Sequence, residues 1–261
     1  MEPTVNIALR AARKAGDIIA RASDDISRLR VEAKGKADFV TEVDLAAEEE
    51  IIGSLQKTYP DHAFLCEESG QTGPEDADYL WIIDPLDGTS NFMRGIPHYC
   101  VSIACVAKGK LEHAVILDPI RQEEFTASRG RGAQLNGRRI RVSNRSELKD
   151  SLVGTGTPFL GHCDDQMDWY VKGLAAIAGQ SMGIRRMGSA ALDLAYVAAG
   201  RIDGFWEAGL SAWDVAAGVL LIRESGGLVT DFKGSDAVLE GGDIMAANPK
   251  MLRQIAGAIR S

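Results

Sequence analysis

Two aspartates at the end of an apolar run form the segment with the most chemical content, Asp84-Pro85-Leu86-Asp87-Gly88-Thr89. The run at residues 79–83 predicts a strand, Pro85 keeps the preceding residue extended, and Gly88 permits a sharp turn. Both carboxylates then project from one end of the strand, where oxygen ligands suit Mg²⁺. A helix beginning near Thr89 would also offer N–H groups to a phosphate. An ordinary surface Asp-Gly turn is the alternative interpretation.

Three more acidic segments stand at expected strand ends or helix starts. Glu67 follows a short apolar strand, Asp214 comes three residues after Ser211, and Asp44 comes three residues after Thr41. Taken singly, the first is a solvated turn and the other two are capping-box acids. If these carboxylates converge, they repel each other unless they are protonated or bind a metal. An oxygen-only ligand set favours Mg²⁺ over zinc.

Composition limits the class of protein. The 261 residues are 45% apolar and carry a net charge of −8, which excludes intrinsic disorder and opposes wholesale nucleic-acid binding. No apolar stretch approaches the ~20 residues of a membrane span. The N-terminus has no signal-peptide pattern, so we expect a cytoplasmic protein without a membrane partner. The cysteines lack zinc-finger spacing, and Cys100 and Cys105 are predicted to be buried free thiols.

The first half of the chain reads as two helices followed by mainly antiparallel strands. Apolar residues at helical spacing predict one helix over 4–23, and the box at Thr41 opens another that stops before Pro60. The expected strands cover residues 62–66, 79–83, 99–107, 111–118 and 123–128.

The second half alternates between strands and helices. The strands are predicted at 151–155, 202–207, 228–231 and 244–247, and the helices at 165–178, at 190–199, after Ser211 and after Asn248. A composition shift near 145–150 predicts a domain boundary. We expect an N-terminal domain, 1–145, with most metal ligands and a C-terminal domain, 146–261, with the substrate contacts and one metal ligand.

These segments resemble the inositol monophosphatase family over essentially the whole chain. The residues that carry the resemblance are 84–92 and Trp213-Asp214-Val215-Ala216-Ala217-Gly218, supported by Glu67-Glu68-Ser69 and 38–44. Two mild departures are Ser90, where threonine is commoner, and Cys66, where glycine is common; neither removes a ligand. The resemblance implies an α+β or α/β fold, a layered α-β-α-β-α sandwich, and Mg²⁺-dependent hydrolysis of inositol monophosphate.

The resemblance also implies a metal-ligand set. Glu67, Asp84 and the carbonyl of Leu86 would hold one Mg²⁺. Asp84 would bridge to a second ion, completed by Asp87 and Asp214, and a third and weaker ion would lie near Glu67.

The remaining implied roles concern water and substrate. Asp44 and Thr89 would orient and deprotonate the attacking water. The substrate-binding residues would be Gly88 and Thr89 through their amides to phosphate, and Gly188, Ser189, Ala190 and Glu207 on the alcohol side. By itself, Glu207 could equally be a surface acid at a strand end. The sequence shows no nucleophilic Ser–His or Cys–His pair, so direct in-line attack by water is favoured.

Other functions remain open at this stage. Related families that share the metal core act on fructose bisphosphate, NADP or 3′-phosphoadenylate. The chain looks like a bacterial branch of the family that is associated with RNA-polymerase antitermination complexes and ribosomal RNA. A basic segment, residues 129–149, together with Arg185-Arg186, could bind RNA or an acidic partner, although a solvated face is the simpler interpretation.

The resemblance also leads us to expect a homodimer. Residues 182–187 and the small-residue helix after them are a candidate interface, and interior packing is the alternative.

Overall fold

The structure, a computed structural model, describes residues 2–26, 31–35, 38–158 and 167–260 and arranges them in five layers. Two helices cover one face of an eight-stranded sheet, and a helix pair lies between this sheet and a five-stranded one. Two more helices cover the far face of the second sheet. This is the α-β-α-β-α sandwich that the resemblance implied. None of the helices in the described ranges combines the length and the hydropathy that a membrane span requires.

The outer layer consists of α1 (Pro3–Ser23) and α2 (Glu42–Gln56). Both helices match the predicted periodicity, since each buries an apolar stripe against the first sheet. The capping box at the start of α2 is present: the Asp44 carboxylate accepts the Thr41 N–H at 2.9 Å. A hairpin of β1 (Val31–Gly35) and β2 (Asp38–Thr41) precedes α2. The sequence pattern did not predict it.

The first sheet has the strand order β10-β9-β8-β7-β6-β5-β3-β4. Apart from the parallel pair β3 and β5, neighbouring strands are antiparallel, as predicted. Helices cover both faces, so the central strands are almost continuously apolar. The strands are β3 (Ala63–Cys66), β4 (Gly70–Thr72), β5 (Tyr79–Asp87), β6 (Cys100–Ala107), β7 (Lys110–Asp118), β8 (Glu123–Ser128), β9 (Gly132–Leu135) and β10 (Arg138–Arg139).

The central layer contains α5 (Ala190–Ala198) and α6 (Ala212–Glu224). Their side chains share one apolar core with residues from both sheets. This burial favours interior packing for the small-residue helix: α5 packs inside the molecule, whereas Met182, Arg185 and Arg186 before it are exposed. An interface at residues 182–187 stays a prediction. The division at residue 145/146 stays a prediction.

The second sheet has the order β12-β11-β13-β15-β14. The strands are β11 (Leu152–Thr155), β12 (Gly183–Arg185), β13 (Gly204–Glu207), β14 (Leu228–Thr230) and β15 (Ile244–Ala247). Helices α4 (Met167–Ala178) and α8 (Pro249–Arg260) pack on its outer face around Trp206. The short helices are α3 (Thr89–Phe92) and α7 (Val238–Gly241). Of the helix predicted at 165–178, residues 165–166 lie outside the described residues.

The thiols agree with the prediction where they are described. Cys100 and Cys105 are buried and free, and so is Cys66. Cys163 lies outside the described residues.

Candidate active site

The site begins where β5 ends. The sequence pattern placed the strand end at Ile83, but β5 continues to Asp87 with an irregular register between Asp84 and Asp87. Pro85 fits there because a bulged position does not need its missing N–H. Gly88 then adopts a φ of +97°, and a Cβ there would lie 3.0 Å from the His98 carbonyl oxygen. Only glycine allows this turn into α3 without strain.

Three aspartates from two elements converge at this point. One carboxylate oxygen each from Asp84, Asp87 and Asp214 lies within 4.8 Å of the others. Asp84 and Asp87 come from β5, and Asp214 comes from the first turn of α6. Its capping role is also present, since its carboxylate accepts the Ser211 N–H at 2.7 Å. The capping and clustering interpretations of Asp214 are therefore compatible.

The electrostatics of the cluster are unfavourable without a cation. Burial raises the pKa of all three carboxyl groups, and the neighbouring carboxylates raise the pKa of Asp84 and Asp214 further. In the part of the chain that the structure describes, no Lys or Arg forms an ion pair with any of the three. Several clustered carboxylates with no cationic side chain are the ligand set of a hard divalent cation. The residues therefore fit Mg²⁺.

Glu67 and Leu86 lie beside the same cluster. Glu67 hydrogen-bonds to the Asp84 side chain and helps to raise the pKa of that carboxyl group. Its own N–H donates to the Ile83 carbonyl at 3.1 Å, which fixes Glu67 next to β5. The Leu86 N–H donates to Asp84 Oδ1 at 2.9 Å. All residues that the resemblance assigned to metal binding are thus close in space.

Asp44 meets Thr89 on the other side of the β5–α3 turn. The Thr89 hydroxyl lies 3.0 Å from Asp44 Oδ1 and 3.0 Å from the Leu86 carbonyl oxygen. Asp44 is fully buried. Burial raises the pKa of its carboxyl group, and hydrogen bonds from Thr41 and Thr89 oppose this shift. The structure therefore brings Asp44 and Thr89 into hydrogen-bond contact, and their role toward the attacking water stays a prediction.

The segment before α5 closes the site from the second half of the chain. Asp87 Oδ2 accepts the Ser189 hydroxyl at 2.6 Å and the Ala191 N–H at 2.7 Å. The Asn91 amide donates to the Met187 carbonyl at 2.8 Å, which ties α3 to this segment.

Close backbone approach explains the small residues in this segment. Gly188 has a φ of +91°, and its carbonyl oxygen lies 3.3 Å from where a Gly88 Cβ would be. Gly188, Ser189 and Ala190 therefore lie against the Asp87–Gly88 turn.

Glu207 is the last residue of β13 and is buried rather than on the surface. Burial raises the pKa of its carboxyl group well above the ordinary range, and the carboxylates of Asp193, Asp214 and Asp87 add to this shift. A Cβ at position 156 would lie 1.6 Å from Glu207 Oε1, so only Gly156 leaves room for this side chain. Glu207 therefore faces the aspartate cluster from the second sheet.

Sequence reasoning missed Gly156 and one buried acid, Glu48. The Glu48 carboxylate accepts the N–H groups of Glu68 and Ser69 at 2.9 and 2.8 Å. A signal was available, because Glu48 is four residues after Asp44 and so lies on the same face of the helix. Gly156 gave no sequence signal, because Glu207, the side chain for which it leaves room, is far away in the chain.

Comparisons with known proteins agree with this architecture. The model of the Inositol monophosphatase family matches residues 1–261. The chain is 57% identical over 262 residues to the Nus factor SuhB of Pseudomonas aeruginosa, covering all of this chain and 97% of that protein. The crystal structure of extragenic suppressor protein suhB from Bartonella henselae is 44% identical, with a TM-score of 0.96 and coverage of 100% and 99%.

A solved inositol monophosphatase is also similar. The enzyme from Anabaena (Nostoc) sp. PCC 7120 is 36% identical with a TM-score of 0.84, over 98% of this chain and 94% of that one. The fold and the acidic cluster are those of a phosphatase, and the chain belongs to the inositol monophosphatase family.

Proposed function

We propose that this protein hydrolyses inositol monophosphate to inositol and phosphate, with two or three Mg²⁺ ions per subunit and by direct in-line attack of water. The observation that carries the proposal is the convergence of Asp84, Asp87 and Asp214 within 4.8 Å beside the Asp44–Thr89 pair. Whole-length membership of the family supports the reaction class, and the name of the Anabaena relative supports the substrate.

Glu67, Asp84, Leu86, Asp87 and Asp214 are the residues that would hold Mg²⁺. When bound, Mg²⁺ makes a water more acidic and stabilises negative charge on the leaving oxygen. The site then supplies two elements that phosphate-ester hydrolysis requires, a nucleophile at neutral pH and charge stabilisation in the transition state.

The chain's own groups position the water and the phosphate. Asp44 accepts a proton, and its hydrogen bond to the Thr89 hydroxyl places the two side chains as one unit. The N–H groups of Gly88 and Thr89 lie at the start of α3, where no preceding helical turn supplies acceptors. They are the donors for the phosphoryl oxygens.

The alcohol part of the substrate would contact the segment before α5 and β13. Glu207 is a buried acceptor that suits sugar-like hydroxyl groups, and Gly188, Ser189 and Ala190 form the adjacent wall. A carboxylate that accepts hydroxyl hydrogen bonds here would orient the ring and leave the ester oxygen toward the aspartates.

The test is phosphate release from inositol 1-phosphate, fructose 1,6-bisphosphate, NADP and 3′-phosphoadenosine 5′-phosphate, each with and without Mg²⁺. We expect Mg²⁺-dependent release chiefly from the inositol ester. Release mainly from another ester would replace the substrate and retain the metal mechanism. A folded protein that binds Mg²⁺ and releases phosphate from none of them would contradict the catalytic proposal.

A second function is favoured by the relatives named Nus factor SuhB, at 57% and 48% identity over the whole chain. We propose that this protein also joins an RNA-polymerase antitermination complex, through RNA polymerase, its associated factors or RNA. Both roles place it in the cytoplasm. We also propose that it acts as a homodimer.

In the basic segment, residues 129–149, only some of the Arg and Lys side chains lack an ion-pair partner among the described residues. Four of its cations are paired with carboxylates, through the pairs Arg129–Glu112, Arg131–Glu2, Arg145–Asp203 and Lys149–Glu147. In the described part of the chain, Arg138, Arg139 and Arg141 form no ion pair, and Arg138 and Arg139 lie exposed on the edge strand β10. This edge is the surface that we propose for an acidic partner.

Charge reversal tests this surface. Arg138→Glu with Arg139→Glu should lower the affinity for RNA polymerase or ribosomal RNA and leave phosphatase activity unchanged. Arg253→Glu, an exposed reversal on α8, is the matched control. Unchanged partner affinity in the double variant would remove β10 as the contact surface.

A further inference from the structure

Glu48 is a buried acid that none of the assigned roles uses. It lies on α2 with 3% of its surface exposed. Asp44 precedes it by one helical turn, so both carboxylates leave the same face of α2. One contacts Thr89 at the water-activating pair, and the other reaches the turn that carries Glu67.

That turn connects β3 to β4. Cys66 pairs with Gly70, and the residues between them, Glu67, Glu68 and Ser69, form the loop. The three N–H groups of the loop have defined acceptors. Glu67 donates to the Ile83 carbonyl at 3.1 Å, Glu68 to Glu48 Oε2 at 2.9 Å and Ser69 to Glu48 Oε1 at 2.8 Å. The backbone around Glu67 is therefore anchored on one side by β5 and on the other by Glu48.

The two hydrogen bonds that Glu48 accepts require a carboxylate at this position. Each oxygen of Glu48 accepts a different N–H group, and a charged acceptor makes each bond stronger than a neutral one would. A glutamine has one carbonyl oxygen, and its NH₂ group would face an N–H donor. The described part of the chain gives Glu48 no Lys or Arg ion pair, so these two N–H groups are the partners that the structure shows for its charge.

We propose that Glu48 is a positioning residue for metal binding, because it holds the loop that presents Glu67 to Asp84. This inference rests on the proposed function, in which Glu67 is a Mg²⁺ ligand. Through Glu48 and Asp44, one face of α2 sets the position of a metal ligand and of the group that accepts the proton from water.

The experiment compares Mg²⁺ binding to the metal-free protein by calorimetry in wild type, Glu48→Gln and Glu49→Gln. Glu49 is exposed on the same helix and provides the matched control. We expect Glu48→Gln to weaken Mg²⁺ binding by about tenfold or more, and Glu49→Gln to bind like wild type. Amide hydrogen exchange without Mg²⁺ should show faster exchange at Glu68 and Ser69 in Glu48→Gln alone.

A merely structural role predicts a different result. Glu48→Gln would then have a lower Tm and the Mg²⁺ affinity of wild type at a temperature where both are folded, and this outcome would overturn the inference. If Glu48→Gln does not fold, the same titration is made on Glu48→Asp, which keeps the charge on a shorter side chain; wild-type affinity there would also overturn it. Wild-type protein that binds no Mg²⁺ would instead contradict the proposed function.

Discussion

At the scale of single residues, the site combines groups that are costly to bury. Asp84 is almost fully buried next to Glu67, Asp87 and Asp214, and this raises the pKa of its carboxyl group. Such a concentration of negative charge disfavours folding at neutral pH unless a cation binds. The stability and the activity of the protein are therefore linked through the same few oxygens.

Asp87→Asn tests the metal-ligand role at this scale. The amide oxygen can still accept from Ser189 and Ala191, so the shape of the site is kept while one negative charge is lost. We expect the Mg²⁺-dependent kcat/KM to fall by more than about 100-fold, with the far-UV circular dichroism unchanged. Assays across a Mg²⁺ series measure this effect.

Asp76→Asn is the control for charge removal, because Asp76 is exposed in a loop away from the cluster. It should retain full activity. Near-normal turnover of Asp87→Asn at every Mg²⁺ concentration would show that Asp87 is not a ligand.

At the scale of elements, the start of α6 has two tasks. Ser211 and Asp214 form a capping box, and Asp214 also joins the aspartate cluster. Two substitutions separate these tasks. Ser211→Ala should lower the free energy of unfolding by about 1 kcal/mol and leave the Mg²⁺ requirement unchanged. Asp214→Asn should strongly raise the Mg²⁺ concentration that activity requires, and should change the free energy of unfolding less than Ser211→Ala does.

Urea denaturation and Mg²⁺ titration of activity measure the two effects on each variant. If both variants lose only stability, Asp214 acts as a helix cap alone.

The contact between α5 and α6 depends on a glycine. A Cβ at Gly218 would lie 2.6 Å from the Cβ of Leu194, an atom near the backbone that cannot rotate away. We therefore expect Gly218→Ala to destabilise the protein by about 1–3 kcal/mol in urea denaturation, despite the higher helix propensity of alanine.

Gly257→Ala is the matched substitution in α8, where a Cβ would have no atom within 4 Å. It should stabilise the protein by roughly 0.5–1 kcal/mol. If both substitutions change the free energy of unfolding in the same direction, the inference of a tight α5–α6 contact at Gly218 is wrong.

At the scale of the whole molecule, bound Mg²⁺ would connect the two halves of the chain, because its proposed ligands come from the first sheet and from α6. A ligand that binds the folded state at 100 times its Kd stabilises that state by about 2.7 kcal/mol. For a protein of this size we expect the Tm to rise by roughly 5–10 °C.

Thermal unfolding with and without Mg²⁺, at matched ionic strength with Na⁺, measures this shift. Asp84→Asn should show a much smaller shift than wild type. An equal rise in Tm with Na⁺ alone would mean that general screening, and not a specific site, is responsible.

The sequence by itself determined the local features of this protein. Helical spacing predicted α1, the Thr41–Asp44 box predicted the start of α2, and the apolar runs at 99–107 and 111–118 predicted β6 and β7. These depend on neighbouring residues and on local backbone preferences. The motif at 84–89 and its resemblance to a family added the candidate ligands. Short strands such as β4 and β12 were missed because three residues carry too little periodicity.

Only the tertiary structure decided which distant groups meet. Asp214 reaches Asp84 because α6 packs between the two sheets, and Glu207 faces the cluster because Gly156 leaves space for it. The tertiary structure also showed that Glu48 hydrogen-bonds to the loop that carries Glu67. No local sequence pattern encodes this contact between a helix and a turn. Such contacts depend on how layers pack, and packing is set by the shape and burial of the whole core.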